Sequence, residues 1–227
     1  MILSLHKQIG ELKTNLLKMA SMSEEAIRNA MTALETRDRA MCSAIIQKDK
    51  QINFMENLVD KQCLELLALK QPMAIDLRFI TMAMRIATEL ERVGDQAENI
   101  AERTLFLIEE PVIMKPAGFS KLARVSQEML RDSINAFVNG DVNLAEMVCE
   151  RDNEADELYL HLICDILEQM IADSSFVRQG VHFTVIALNL ERVADQATNI
   201  CEDVVYLVEG RVIKHRTPLK KEGCKRE

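Results

Sequence analysis

The sequence predicts an all-α protein made of two tandem three-helix bundles related by an internal repeat. Three observations support this fold class. Helix-favouring residues dominate, and the 227 residues include only 7 Gly and 4 Pro. A 13-residue segment recurs 100 positions later with ten identities. In both copies the apolar residues alternate steps of three and four, the spacing of helices packed in a left-handed bundle.

The repeat is preserved unevenly along the chain. Residues 90–102 read LERVGDQAENIAE, and residues 190–202 read LERVADQATNICE. Upstream, residues 19–38 align with residues 122–141 at an offset of 103, but only six of those 20 positions are identical. The apolar pattern persists there, so the chain is interpreted as a duplicated unit in which one short segment diverged least.

The first unit contains three predicted helices, over residues 3–36, 38–70 and 72–108. Breaks are expected at Arg37-Asp38 and at Lys70-Gln71-Pro72. Pro72 suits the first turn of a helix, where no backbone N–H is needed, and Asp76 then favours the positive end of the helix dipole. A linker over residues 109–119, rich in Pro and Gly, follows.

The second unit repeats this plan, with predicted helices over residues 120–139, 142–172 and 175–209. Asn139-Gly140-Asp141 supplies a helix stop, a residue tolerant of the left-handed region, and a new N-cap. Gly210 is expected to end the last helix. The resulting domains are residues 1–112, residues 119–212, and a basic tail over 213–227 that is expected to be disordered.

The third helix of each unit carries the clearest apolar seam. In the first unit the seam consists of Ala83, Ile86, Leu90, Val93, Ala97, Ile100, Thr104 and Leu107. In the second it consists of Phe183, Ile186, Leu190, Val193, Ala197, Ile200, Val204 and Leu207. Because this spacing is sustained over the whole helix, we expect each seam to face the core of an antiparallel bundle.

The repeated motif also places a stripe of oxygen ligands one helical turn apart. In the first copy the stripe consists of Glu91, Asp95, Glu98, Asn99 and Glu102, on the face away from the seam. The second copy keeps Glu191, Asp195, Asn199 and Glu202. Carboxylates at i and i+4 repel each other but can jointly hold a cation such as Fe, Mn, Zn or Mg. We therefore expect a metal site on the outer face of each third helix.

A charged outer face is also what any bundle helix shows, with Arg92 and Arg192 available as ion-pair partners. Against that alternative, packing alone would not require identical outward residues in two otherwise divergent halves. The middle helices can add ligands: Asp152 and Asp156 lie one turn apart, and the matching first-unit positions are Asp49 and Asn53, so the first unit is expected to have the weaker version of this pair. Whether these face the stripe depends on helix rotation, so a solvated helix surface stays open as an alternative.

The bulk properties exclude several functions. A formal net charge of −8 disfavours nucleic acid and anionic lipid as partners. No targeting segment or run of about 20 apolar residues occurs, and six cysteines without CxxC spacing suit a reducing compartment, so a cytoplasmic location without membrane insertion is expected. No nucleotide cradle, nucleophile arrangement or aromatic pocket is visible, so an enzyme is not expected. No phosphate pocket is visible either.

The two motifs LERVGDQAENI and LERVADQATNI resemble the paired motifs of the PhoU family of phosphate-uptake regulators. The segment QPMAIDLR at residues 71–78 is similar to the Pro-x-x-x-Asp-Leu-Arg stretch that opens that family's third helix. The resemblance covers residues 5–212 with both repeats in order. It implies two pseudo-symmetric three-helix bundles, a homodimer, and repression of phosphate-starvation signalling when phosphate is plentiful.

The same resemblance implies a metal ion or multinuclear metal cluster, chiefly iron or zinc, with Mn or Mg as alternatives. By the family's acidic motifs, the implied ligand pairs are Glu91 with Asp95, Glu191 with Asp195, and Asp152 with Asp156. Implied partners are a sensor histidine kinase and the ATPase of the phosphate ABC transporter. The competing hypotheses are a metal-free helical scaffold and a carboxylate-bridged redox enzyme.

Overall fold

A computed structural model of the chain describes residues 2–111, 116 and 118–213. Six long α-helices and one 3₁₀ turn account for nearly all of this part of the chain, and it contains no strand. The helices are α1 (Ile2–Thr36), α2 (Arg39–Lys70), α3 (Ala74–Glu109), α4 (Phe119–Asn139), α5 (Val142–Ala172) and α6 (Val177–Glu209). The all-α prediction of tandem three-helix bundles is confirmed, while the predicted tail lies outside the described residues from 214 onwards.

The predicted helix boundaries hold at most ends. Asp38 caps α2 by accepting a hydrogen bond from the backbone N–H of Met41 at 3.0 Å, and Asp141 caps α5 through the N–H of Leu144 at 3.0 Å. Gly140 and Gly210 follow α4 and α6 with φ of 63° and 70°, a region that a residue with Cβ adopts only at a cost.

Two helix starts differ from the prediction. A 3₁₀ turn, Ser174–Phe176, precedes α6, which begins at Val177 instead of residue 175. Helix α3 begins at Ala74, with Met73 as its N-cap, so Pro72 precedes the helix instead of occupying its first turn. The reason is the residue before it: Gln71 adopts φ 47° and ends α2 in a left-handed turn. Asp76 lies in the first turn of α3, as expected.

Both seams are buried as predicted. Every seam residue of α3 is buried, and every one of α6 is buried apart from Leu207, which is partly buried against the same core. The hydroxyl of Ser23 on α1 donates to the backbone oxygen of Leu90 at 2.8 Å and ties α1 to the seam of α3. The burial of these seams shows which side of α3 and of α6 faces the core of its own bundle.

The two bundles meet along α3 and α6, which run antiparallel. Near one end Arg85 contacts Asp203 at 2.8 Å, and at the other end the rings of Phe106 and His182 stack with centroids 5.0 Å apart. Each of these helices therefore buries a second face in addition to its seam. This second buried face was not predicted.

Most of the described cysteines are free thiols, with Cys42, Cys63 and Cys201 buried in the core and Cys149 half-buried. Cys164 is disulfide-bonded, so the expectation of reduced cysteines is wrong at that position. Among the described helices, none has the length and apolar content that crossing a membrane requires.

Candidate metal centre

Three carboxylates from two helices of the first bundle come together. Asp49 projects from α2, and Asp95 and Glu98 project from adjacent turns of α3. One oxygen of each lies within 4.8 Å of the others, close enough for a single cation to contact all three. Elsewhere in the described part of the chain, no other group of three such side chains meets this condition.

Asp49 is the buried member of the group, with 6% of its surface exposed. One of its oxygens, Oδ2, accepts a hydrogen bond from Nδ2 of Asn53 at 2.9 Å. The other, Oδ1, is buried without a hydrogen-bond partner. A buried carboxylate oxygen without a partner is costly. Oδ1 of Asp49 is therefore a ligand position that no hydrogen bond occupies, beside Asp95 and Glu98 on α3.

Gly94 allows α2 to approach α3 at this point. A Cβ atom at Gly94 would lie 3.0 Å from Cδ1 of Ile52 and 3.2 Å from Oδ1 of Asp49, which is tighter than ordinary van der Waals contact. The absence of a side chain at Gly94 therefore sets the position of the Asp49 carboxylate relative to Asp95 and Glu98.

The electrostatics of the group favour a bound cation. Burial, then the Asp95 carboxylate, raises the pKa of Asp49 despite the hydrogen bond from Asn53. Burial raises the pKa of Asp95, and burial together with Asp49, Glu102 and Asp95 raises that of Glu98. In each case the ionised form is disfavoured by its surroundings, which is the arrangement that a cation relieves.

Glu91 extends the acidic surface by one turn. Burial, followed by the carboxylates of Asp95, Glu56 and Asp49, raises the pKa of Glu91 to about 7, and Arg92 only partly opposes this. Glu56 accepts a hydrogen bond from the hydroxyl of Thr88 at 3.1 Å and so stays on the same side of the α2–α3 groove. We call Asp49, Asp95, Glu98 and Glu91 the acidic cluster.

The donor set of the acidic cluster fits a metal. All its ligands are carboxylate oxygens, which suit Mg, Mn or Fe, and which zinc accepts although it more often takes His or Cys. The basic group that opposes the acids at Glu98 is Lys50, and Arg92 is partly engaged by Glu89 at 3.1 Å. The cluster therefore carries more negative charge than its neighbours neutralise.

The remaining predicted ligands of the first unit lie beside the cluster. Glu102 and Asn99 are both half-buried, and neither belongs to the group of three. Glu102 is close enough to Glu98 to raise its pKa, and it also contacts Arg103 at 3.5 Å. These two residues can enlarge the site but do not define it.

Among the described residues, the predicted ligands of the second unit form no group of three with ligand atoms within 4.8 Å of one another. Asp195 is exposed, whereas Glu191 is only 9% exposed. Asp152 accepts a hydrogen bond from the hydroxyl of Thr198 at 3.3 Å, and Asn199 donates to Glu89 of the first unit at 3.3 Å. The two remaining positions of this set, both half-buried, are Asp156 and Glu202.

The stripe was expected to point into solvent, and this expectation is wrong in two respects. Glu91, Asp95 and Glu98 lie half-buried in the groove against α2, and Glu191 is buried. The physical reason is that α3 and α6 each pack on two sides, so little of their circumference faces water. Asp49, whose match to Asp152 at an offset of 103 was visible in the sequence, is the ligand that the α3 stripe lacked.

Comparison with known proteins identifies a family that matches both halves of the chain. The family model described as the PhoU domain matches residues 16–104 and again residues 119–204. A protein of Aquifex aeolicus described as a phosphate-specific transport system accessory protein PhoU homolog is 35% identical over 214 residues, covering 94% of this chain and 97% of that protein. A homolog of the same description from Clostridium acetobutylicum is 36% identical over 206 residues, covering 90% and 94%.

Solved structures show the same fold. The crystal structure of PhoU from Pseudomonas aeruginosa superposes with a TM-score of 0.88 at 30% identity, covering 91% of this chain and 99% of the other. That of the phosphate transport system regulatory protein PhoU from Streptococcus pneumoniae superposes with a TM-score of 0.86 at 30% identity, covering 92% and 99%.

Proposed function

Because the chain belongs to the PhoU family, we propose that it is a negative regulator of phosphate uptake and of phosphate-starvation signalling. Support comes from the match of the family model to both halves of the chain and from relatives described as accessory proteins of a phosphate-specific transport system. The regulator acts in the cytoplasm as a non-enzymatic homodimer whose protomers each contain the two domains, residues 1–112 and 119–212.

The acidic cluster is the single observation that supports a metal-dependent form of this function. Asp49, Asp95 and Glu98 would hold the metal, with Glu91 beside them. A bound cation supplies the positive charge that these carboxylates lack. Because Asp49 belongs to α2 and the others to α3, these carboxylates would hold one cation from both helices when ionised, and protonation would remove ligands from it. A bound cation would therefore link α2 to α3 inside the first bundle.

The proposed partners follow from the family and not from a surface feature. They are the ATPase of the phosphate ABC transporter and its sensor histidine kinase, between which the protein acts as a helical adaptor. Helical bundles that present long, rigid outer faces are suited to such docking. Iron or zinc is the expected metal, and the all-oxygen donor set of the cluster equally suits Mn or Mg.

A metal-free scaffold is the competing function. The hydrogen bond between Thr198 and Asp152 favours it for the second bundle, since a neutral hydroxyl there stands at the position matching Glu98. A carboxylate-bridged redox enzyme would instead require oxidase activity with bound iron, together with ligands aimed into a bundle core.

A gene-deletion strain tests the function. The deletion is complemented with the wild-type chain, with Asp49→Asn and Asp95→Asn combined, or with the second-unit control, Asp152→Asn and Asp156→Asn combined. Uptake of labelled phosphate and a phosphate-starvation reporter are then measured in phosphate-replete cells, with affinity purification from their membranes. If the wild-type chain restores repression and co-purifies with the transporter ATPase or the kinase, the proposed regulator is supported. If the wild-type chain does not restore repression, the proposal is rejected. Equal repression by the wild type and both variants favours the metal-free scaffold.

A further inference from the structure

A cleft of about 390 Å³ separates α1 from α4 on the side of the molecule away from the α3–α6 contact. Helices α1 and α4 run antiparallel, and at one end Nζ of Lys13 donates to the backbone oxygen of Val138 at 3.2 Å. The volume lies within the range of small-molecule sites. Its polar lining consists of Glu24, Arg28, Thr32, Glu35, Ser120, Arg124, Gln127, Glu128 and Arg131.

Three guanidinium groups from both bundles line this cleft. Arg28 comes from α1, and Arg124 and Arg131 come from α4. Within the described part of the chain, the backbone oxygen of Arg28 accepts from Thr32, but the Arg28 guanidinium makes no hydrogen bond or ion pair, and Arg124 interacts electrostatically with Glu128. Arg131 reaches Asp132 at 3.7 Å, too far for a strong ion pair. The planar donors of these arginines are therefore available to a ligand.

Arg28 and Arg131 occupy matching positions of the internal repeat. They are one of only six identities in the 20-residue segment where the two units have diverged. Both are exposed, so packing does not account for their retention. The two copies of this arginine line the same cleft, one from α1 and one from α4.

The acids in the cleft are partly neutralised by residues outside it. Glu128 accepts from Nη2 of Arg151 at 2.8 Å, and this hydrogen bond, with Arg124 and Arg131 nearby, holds the pKa of Glu128 below its usual value. The matching Glu25 contacts Lys48, the repeat counterpart of Arg151, at 3.5 Å. Each bundle therefore holds this glutamate with a basic residue of its middle helix.

We propose that the cleft binds a phosphoryl anion, either inorganic phosphate or the phosphate group of a small monoester. Guanidinium groups match the oxygens of phosphate in bidentate geometry. Glu24 supplies a carboxylate acceptor on the same wall, and only an anion that retains a proton can donate to it. At neutral pH inorganic phosphate keeps such a proton, a phosphate monoester with a second pKa of about 6 keeps it only in a minor fraction, and sulfate has none, so the mixed lining favours inorganic phosphate first and sulfate last. This inference does not depend on the metal centre. It rests on the proposed regulatory function and supplies a site at which the regulator would respond to phosphate.

Isothermal titration calorimetry on chelator-treated protein tests the inference, with sodium phosphate, glycerol 3-phosphate and sodium sulfate as probes at matched ionic strength. We expect saturable binding of phosphate or of glycerol 3-phosphate, and weaker binding of sulfate. The tighter binder of the first two identifies the anion for which the cleft is suited. Arg28→Gln with Arg124→Gln weakens the binding at least about tenfold, because two charged hydrogen-bond donors are lost. Glu24→Gln should bring the binding affinities for phosphate and sulfate closer together, because the carboxylate acceptor is lost.

Arg178→Gln is the matched control. It removes the same charge from an exposed side chain whose ion pair with Glu110, at 3.9 Å, lies outside the cleft. Its binding stays at the wild-type value, and circular dichroism confirms the fold of every variant. The inference is overturned if neither phosphate nor the monoester binds saturably, if sulfate binds equally well, or if the arginine double variant binds like the control. None of these outcomes affects the metal centre, because the protein is metal-free throughout.

Discussion

Thr198 donates a hydrogen bond to Oδ1 of Asp152 at 3.3 Å, at the place where the first bundle sets Glu98 beside Asp49. The two pairs occupy matching positions of the internal repeat. In the second bundle a neutral hydroxyl satisfies the aspartate, whereas in the first bundle a second carboxylate repels it. The repeat therefore produced two groups of different charge, and the first bundle holds the three carboxylates that could share a cation.

The pH dependence of stability should report this repulsion. Glu91 has a pKa of about 7 in the folded chain against an ordinary value of 4.5, so between those values the folded state binds a proton that the unfolded state has released. The metal-free protein should therefore lose unfolding free energy as pH rises from about 4.5 to about 7. Asp49, Asp95 and Glu98, whose pKa values are also raised, add to this loss.

Thermal unfolding of chelator-treated protein across this pH range measures the effect, and Glu91→Gln should flatten the curve. The difference between the two curves isolates Glu91 from Glu128 and Asp173, whose lowered pKa values act below this window, and from His182, whose lowered pKa acts inside it in the opposite direction. Stability that rises with pH by the same amount in both proteins would show that Glu91 is not repelled by its neighbours.

Two glycine substitutions should have opposite effects. Gly10→Ala in α1 meets no atom within 4 Å and should stabilise the protein by about 0.5–1 kcal/mol through helix propensity. Gly94→Ala gains the same propensity but crowds Ile52 and Asp49, at a cost of about 1–3 kcal/mol. Gly94→Ala should also weaken metal binding, because the Asp49 carboxylate is displaced.

Chemical denaturation and metal titration of both glycine variants measure these effects. If Gly94→Ala were as stabilising as Gly10→Ala and bound metal like the wild type, the close approach of α2 to α3 would have no role in the site.

The contact between Arg85 and Asp203 should hold the two bundles together. The Asp203 side chain is 2% exposed, so Arg85→Ala leaves a buried carboxylate without its arginine and should cost about 2–4 kcal/mol. The control Arg39→Ala breaks an exposed ion pair with Glu109 and should cost less than about 1 kcal/mol. Urea unfolding of both variants provides the comparison, and equal small losses would mean that the buried pair contributes nothing to the interface.

The fold was predictable from the sequence wherever apolar residues repeat along one side of a helix. The seams containing Leu90 and Leu190 alternate strictly, and Asp141 is a helix-capping residue placed after a glycine. The second buried face of α3 and α6 was not predictable in this way. It includes polar residues such as Gln96, Asn189 and Asp203, which a hydrophobic pattern does not register.

The metal centre was predictable only in part, because a site between helices depends on two rotations. The spacing of Asp95 and Glu98 was readable on α3 alone. Their meeting with Asp49 depends on how α2 is rotated, and Gly94 controls how closely it approaches. In the second unit, Ala194 replaces that glycine and Thr198 replaces the glutamate, so identity at ten of 13 positions did not imply an identical site.

The metal content of the purified protein tests whether a cation binds between α2 and α3. Protein prepared without chelator, or reloaded with iron, zinc or manganese and desalted, is analysed by inductively coupled plasma mass spectrometry. We expect stoichiometric metal in the wild type and in Asp152→Asn with Asp156→Asn, and a loss of most of it in Asp49→Asn with Asp95→Asn, with the fold retained. Equal metal in the two double variants, or no metal in the wild type after reloading, would contradict a cation site between α2 and α3.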